Sequence, residues 1–540
     1  MNLAERISPM KLKSQALHFQ IVKGNTKPSG YIRNSYREDG KVKHQTISRI
    51  NGLSLDQLLN LKAAFDGKTI RMDDITLTDG REYGASNLLF ELSKKIGLDK
   101  ILYSRKEPWV ANALALIIGR IVYQGSKLNL SRVPDISYLW EICGVEGEID
   151  VNKNCYEAMD ELIARQNSIQ RKLAKKHLSE GCVILYDITS TYFEGDYEDS
   201  EFIKFGYNRD KKRGKRQITI GLICAKNGCP IGVEVFAGNT TDSTTVVDKI
   251  DEIKTKYGIS NFVFVGDRGM LTQKNLEVTK DVPSITALTH AKIKELCTEK
   301  GVQLSLFDED TQTEITLPEE PNVRYVLRKN PTRGKKDKRT RDSLIQITND
   351  KLAEIAIPKK KTDVKTLAAR AGKVFGKYKT EKYFSWNIED LTIVYSVKDD
   401  VVANEEKFDG LYVLRSQVSP ETMSTMEIVE AYKSLINVEN AFRNMKTVQL
   451  EIRPVYHHKV KRIKAHAFIC MLSYYLLWHM NQSLKPLYNE SKKYYTQNHV
   501  IEIMKTLQKF NLIIGDVDSP ATMVAKPTNI QNQIQKMVLE

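Results

Sequence analysis

Cysteine is scarce and scattered in this chain. Seven residues are spread over 540 positions, and the one close pair, Cys224 and Cys229, has no second pair to complete a zinc site. An odd, dispersed set argues against a disulfide framework and for buried free thiols in a reducing compartment. Long apolar runs are also missing. The most apolar stretch, Ala465 to Met480, is short for a membrane span and is interrupted by His466, Ser473 and His479. A buried helix is therefore expected there, and no membrane partner. The N-terminal MNLAERISPMKLKSQ lacks the apolar core of a signal peptide, and no repeat of useful length is visible. A cytoplasmic protein is the expectation.

What is present is enough for several cores. Hydrophobic residues make up 41% and charged residues 28% of the chain, which excludes wholesale disorder. A chain of this length exceeds one hydrophobic core, so two to four domains are expected. Lys and Arg number 82 against 67 Asp and Glu, a formal charge of +15. Such a balance attracts phosphate-rich partners, although charge alone does not distinguish nucleic acid from nothing at all.

The hydrophobic period changes along the chain. In residues 1–81, Tyr31 to Tyr36 and Val42 to Ile50 read as strands joined at Glu38-Asp39-Gly40, a hairpin carrying Arg33, Arg37, Lys41, Lys43 and Arg49. It reads equally as a DNA-contacting ribbon or a solvated one. Residues 82–180 show three- and four-residue apolar spacing, expected as a helical and possibly end-binding domain. From 181 to 290 the pattern becomes VILYDITSTYF, QITIGLICAK, IGVEVFAGN, a helix, NFVFVGDRGM, a helix and SITALT: an α/β sheet of mixed direction. Residues 291–420 alternate short strands such as NVRYVLRKN, SLIQIT and LTIVYSV with Lys-rich stretches, expected as a β-rich insertion. Residues 421–485 return to helix, and 486–540 form a polar, partly helical tail.

Two aspartates close apolar strands: Asp187 after Val183-Ile184-Leu185-Tyr186, and Asp267 after Phe262 to Gly266. A carboxylate at such a place is costly to desolvate unless something pairs with it. A hard divalent cation is one candidate partner, and a loop cap or Arg268 is another. Downstream, MEIVEAYKSLINVENAFRNMK places Tyr432, Glu439 and Lys446 seven residues apart. Two helical turns nearly close on seven, so these three share one face with Arg443. A carboxylate, a phenol and two cations on one stripe suit a metal-and-phosphate surface. Glu439 and Arg443 also read as an ordinary i,i+4 pair.

Together these segments resemble the DDE transposases of bacterial insertion sequences, in the insertion-sequence-four superfamily. That branch carries Tyr-x2-Arg-x3-Glu-x6-Lys on its catalytic helix. The chain matches at Tyr432, Glu439 and Lys446 and has Leu435 in place of the Arg. YDITSTYFEG, GDRGM and RPVYHHKVKRIKAH resemble the family's other motifs, and the 172-residue separation of Asp267 from Glu439 resembles its β-rich insertion. The likeness covers about Tyr31 to Met480. It implies an RNase H-like α/β core interrupted by the insertion, with Asp187, Asp267 and Glu439 as catalytic residues and ligands of two Mg²⁺ ions, replaceable by Mn²⁺. It further implies cleavage and strand transfer on double-stranded DNA, at transposon ends and target, by a homodimer in a bacterial cytoplasm.

The expected DNA contacts are Tyr432, Arg443, Lys446 and Arg268, together with two basic loops: Arg209, Lys211, Lys212 and Arg213 in one, Lys335 and Lys336 in the other. Trp386 could stack on an unpaired base or sit in a core. Glu194, Asp196, Glu198, Asp199 and Glu201 read as a solvated acidic loop. His457 and His458 could meet phosphate. Two competing functions are a metal-dependent nuclease that does not join strands, and a non-catalytic DNA-binding derivative.

Overall fold

A computed structural model describes residues 17–22, 28–67, 75–194, 197, 199–207, 209, 214–307, 312–357, 362–448, 450, 452, 455, 457–491, 494–514 and 521–540. Lys211, Lys212 and Arg213, and Asp196 and Glu198 of the acidic loop, lie outside them. The chain divides into two compact units, one of residues 1–81 with 508–526 and one of 82–507 with 527–540.

The smaller unit contains the expected hairpin. Ser29–Glu38 and Lys41–Ile50 pair antiparallel, and Leu17–Val22 adds a third strand. Asp39 and Gly40 both take positive φ, 53° and 75°, which gives the turn the twist two antiparallel strands need. Helix Leu55–Phe65 begins at a Ser54–Gln57 capping box and buries Leu58. Gly30 allows its close approach: a Cβ there would lie 2.3 Å from Phe19 Cζ. A second small sheet joins Ile75–Glu82 to Gln508–Ile514 and Ala521–Val524, so part of the polar tail belongs to this unit.

The larger unit is built on an eight-stranded sheet. Its order is Thr313–Leu317, Glu320–Lys329, Leu411–Ser416, Ser284–Ala287, Phe262–Gly266, Cys182–Tyr192, Gln217–Ala225, Pro230–Ala237. The last three form an antiparallel meander, whereas Cys182–Tyr192, Phe262–Gly266 and Ser284–Ala287 run parallel. The β-branched, nearly unbroken apolar runs seen in the sequence are the strands buried on both faces. Helix Val460–Ser483 is buried along most of its length. It packs on Pro108–Val122, on Glu157–Ala164 and on strand Pro230–Ala237, which ties the helical stretch to the sheet. Among the described residues no helix is long and apolar enough to cross a membrane.

Residues 291–420 differ from the β-rich expectation. Three strands, Thr313–Leu317, Glu320–Lys329 and Leu411–Ser416, extend the main sheet. Between the last two the chain is mostly helical: Pro331–Ala356, Val364–Tyr378 and Asp399–Glu406, with one hairpin, Phe384–Glu389 and Thr392–Val397. SLIQIT is thus helix, and the basic NPTRGKKDKRTR is the first turns of that helix, not a loop. Asn330 caps it, Pro331 occupies its first turn, and it packs along Val364–Tyr378. Tertiary packing outweighs the local β propensity of Ile345, Ile347 and Thr348.

Candidate active site

Parallel pairing of the two central strands sets the site. Tyr186 stands opposite Gly266, so the next residues, Asp187 and Asp267, sit side by side. Asp267 follows its strand directly. Asp187 does not end its strand, as the sequence suggested; the strand runs on to Tyr192, paired only with Gln217–Ala225. Asp187 therefore marks where the parallel neighbour stops and a notch opens at the carboxyl end of the sheet. Each aspartate accepts from the next backbone N–H, Ile188 to Asp187 and Arg268 to Asp267, both at 2.7 Å. These bonds hold the carboxylates against rotation.

The third carboxylate arrives on helices packed across the notch. Ser424 and Glu427 form a capping box that starts helix Thr425–Lys433. The expected single long helix breaks at Ser434, whose carbonyl accepts from Asn437 in a tight turn, and restarts as Leu435–Arg443. Asn444–Val448 continues with π-helical bonding. Tyr432, Glu439 and Lys446 thus fall on three successive helical segments. Asn437 donates to Lys226 O at 3.0 Å and rests on Gly228, whose φ of 84° and bare Cα the Asn227-Gly228 turn requires. At the other end, buried Arg324 holds Glu314 through two bonds of 2.8 Å and donates to Val418 O and Met423 O at 3.1 and 2.7 Å. Glu314 in turn accepts from Thr425 at 2.6 Å. The strands of the 291–420 stretch therefore fix where the Thr425–Lys433 helix, which leads into the Glu439 segment, begins.

Asp187, Asp267, Tyr432 and Glu439 line one cleft of about 320 Å³ with Asn330, Tyr412, Lys433 and Ile436. Tyr432 donates to Asp267 at 3.3 Å. Burial, then the Asp267 charge, raise the Tyr432 phenol above its ordinary range and keep its proton in place. Asp187 is pushed up to about 7, first by burial and then by the Asp267 charge, while the Ile188 N–H and Arg209 pull the other way. Arg209, paired with Asp242 and with its N–H on Ser190 Oγ at 3.0 Å, stands behind Asp187 rather than in the cleft. Among the described residues no three His, Cys, Asp or Glu side chains are gathered closely enough to enclose one ion. The donor set is one of hard oxygens on the two adjacent aspartates, with Glu439 on the same cleft. That fits Mg²⁺, which is commonly held by one or two carboxylates and completed by substrate phosphate.

A larger cleft of about 840 Å³ shares Asn330, Tyr412 and Tyr432 with the first. Arg268, Arg333, Lys336, Arg341, Lys379 and Lys382 make it basic. Arg341 is committed to Asp409 by two bonds of 2.7 Å and Lys382 to Glu405 at 3.2 Å. Lys336 and Lys379 have no ion-pair partner among the described residues.

The remaining expected contacts fall elsewhere. Lys335 is exposed on the Pro331–Ala356 helix outside both clefts, and exposed Arg443 and half-buried Lys446 do not line the carboxylate cleft. Trp386 packs 5.5 Å from the Phe375 ring in a satellite core with Phe384 and Tyr395. His458 stacks on Tyr197 at 5.0 Å. Sequence reasoning missed Asn330, Tyr412 and Arg324. The signal for Arg324 was an arginine at the centre of a strand otherwise read as apolar.

The family model of the transposase DDE domain matches residues 178–476, more than half of the chain. The match begins before the Asp187 strand and ends within the helix that follows Glu439. A comparison with curated proteins finds no match. The chain belongs to the transposases that carry a DDE domain.

Proposed function

We propose that the protein binds the ends of an insertion sequence and catalyses metal-dependent cleavage and strand transfer at the Asp187–Asp267–Glu439 cleft. The observation that carries this reading is the pairing of Asp187 and Asp267 on adjacent parallel strands, facing Glu439 across one cleft. The central meander with two parallel strands beside it supports an RNase H-like core. The Tyr432, Glu439 and Lys446 spacing favours the insertion-sequence-four branch, with Leu435 departing from it.

Asp187, Asp267 and Glu439 would hold two Mg²⁺ ions, for which Mn²⁺ substitutes. Bound there, such ions lower the pKa of the attacking water or 3′-hydroxyl and neutralise the leaving oxygen. The protein's own contribution is positional. Backbone N–H groups fix the two aspartates, Tyr432 keeps its proton and steadies Asp267, and the Arg324 network sets the start of the Thr425–Lys433 helix that leads into the Glu439 segment. The basic second cleft leads away from the carboxylates along Tyr432 and Arg268, and suits the phosphate backbone of double-stranded DNA. Pairing two ends calls for a homodimer, and the seven free cysteines suit a bacterial cytoplasm.

The test is a plasmid carrying the gene between its native flanks. Excised and rejoined products are expected in cells. Cleaved but never joined DNA would reduce the reading to a nuclease, and bound but uncut DNA to a binding protein. The second cleft has its own test in the double variant Arg268→Ala, Lys336→Ala. DNA binding by purified protein should lose about two units from the slope of log affinity against log salt. An unchanged slope would remove the cleft from the DNA path.

A further inference from the structure

No described residue of the segment after the Glu439 helix, RPVYHHKVKRIKAH, lines either cleft. Its His457 and His466 line a separate pocket of about 220 Å³ together with Gly125, Ser126, Lys127, Leu128 and Tyr156. His466 is 4% exposed and its Nε2 donates to Ile452 O at 3.1 Å. That bond fixes the tautomer: Nδ1 carries a lone pair, is buried, and has no partner. The His457 ring stands 5.6 Å from it at the pocket wall.

Lys127 is 5% exposed, and its ammonium has no hydrogen bond or ion pair among the described residues. The charged side chain that acts on it most is another cation, Arg120, which donates to Leu450 O and Gly125 O at 2.5 Å each. Burial first, then Arg120, lower Lys127 to about 8, and burial followed by Lys127 lowers His457 to about 4. Arg462 covers the Tyr156 ring at 4.3 Å and leans toward Asp160 at 3.7 Å. No carboxylate is among the described residues lining the pocket. An unpaired buried ammonium is strongly disfavoured, and a Met or Leu would fill the same place without penalty. Among the described residues no anion answers it.

We propose that this pocket binds one phosphate group that retains a P–OH, with Lys127 as its counter-ion and His466 Nδ1 accepting the P–OH proton. The chemistry is that of a phosphate monoester or of inorganic phosphate. A phosphodiester within a DNA strand has no such proton, so the two sources are a 5′-phosphorylated strand end and the free ion. The DNA source rests on the transposase reading, and the free-ion source does not.

The test measures thermal stability of the full chain in inorganic phosphate and in sulfate at matched ionic strength. Phosphate should raise the melting temperature more than sulfate, which lacks the proton at neutral pH. Lys127→Met should lower the apparent phosphate affinity about tenfold or more. His457→Glu, a change at the half-buried wall, should abolish the response by repulsion and serves if Lys127→Met does not fold. An equal response to sulfate overturns the P–OH assignment. No response in the wild type, or an unaltered one in both variants, overturns the site. A second arm compares duplexes ending in 5′-phosphate and 5′-hydroxyl. A preference for the phosphate end that Lys127→Met removes assigns the DNA end, and a response to inorganic phosphate alone assigns the free ion. Neither arm reads catalysis, so an inactive transposase and an empty pocket give different results.

Discussion

Asp267→Asn is expected to abolish metal-dependent DNA cleavage while leaving DNA binding nearly unchanged. The substitution preserves shape. Asn Oδ1 still accepts from the Arg268 N–H and from Tyr432, the two bonds that position the wild-type carboxylate at 2.7 and 3.3 Å. Only the negative charge is lost, and with it a hard anionic ligand next to Asp187. Electrostatic stabilisation of this kind is worth several kcal/mol in the transition state, so the cleavage rate should fall on the order of 10³-fold or more. Asp187→Asn and Glu439→Gln should behave alike, because each removes charge from the same cleft. Tyr432→Phe should fall less, about 10- to 100-fold, since it removes a supporting hydrogen bond rather than a ligand. Single-turnover cleavage of an end-bearing duplex in Mg²⁺ makes the measurement. Cleavage by Asp267→Asn at a tenth of the wild-type rate would place the chemistry elsewhere.

Legibility from sequence followed the burial of each element. The strands around Asp187 and Asp267 could be read because they are covered on both faces, and such strands spell themselves as apolar β-branched runs. Their pairing partners could not, yet the parallel register of Tyr186 with Gly266 is what makes two separate aspartates into one site. The Glu439 helix was visible as apolar periodicity, but the tight turn at Ser434 was not, because serine neither forbids nor demands a break. The stretch from 291 to 420 failed most clearly. Ser343 to Thr348 has the composition of a strand, and its helix is dictated by the Asn330 cap and by packing on Val364–Tyr378. Lys127 looks like an ordinary surface residue in the sequence, and His466 like a polar interruption of a buried helix. Only the fold brings both to the wall of one pocket.

The raised Asp187 carboxyl makes stability itself a reporter of the site. Its folded value of about 7 lies above the ordinary carboxyl value of 3.8. The folded protein therefore keeps a proton that the unfolded chain gives up, and between those values stability falls as pH rises. Below about 4 both states hold the proton and Asp187 carries no penalty. Above about 7 the penalty is complete. Three pKa units correspond to about 4 kcal/mol. The residue is half-buried and water reaches it, so roughly 2 kcal/mol is the expected size. Asp187→Asn has no titrating proton, while every other group titrates in both proteins. In chelator, the variant should melt higher than the wild type, by a gap that opens between about pH 4 and about pH 7. Mg²⁺ at pH 8 should then close that gap, since an ion that binds only the folded carboxylates stabilises the wild type by mass action and the variant less. A gap independent of pH would mean that Asp187 is already ionised without a cation. A gap that opens with pH yet ignores Mg²⁺ and Mn²⁺ would leave a strained carboxylate at this place in the sheet with no metal to relieve it.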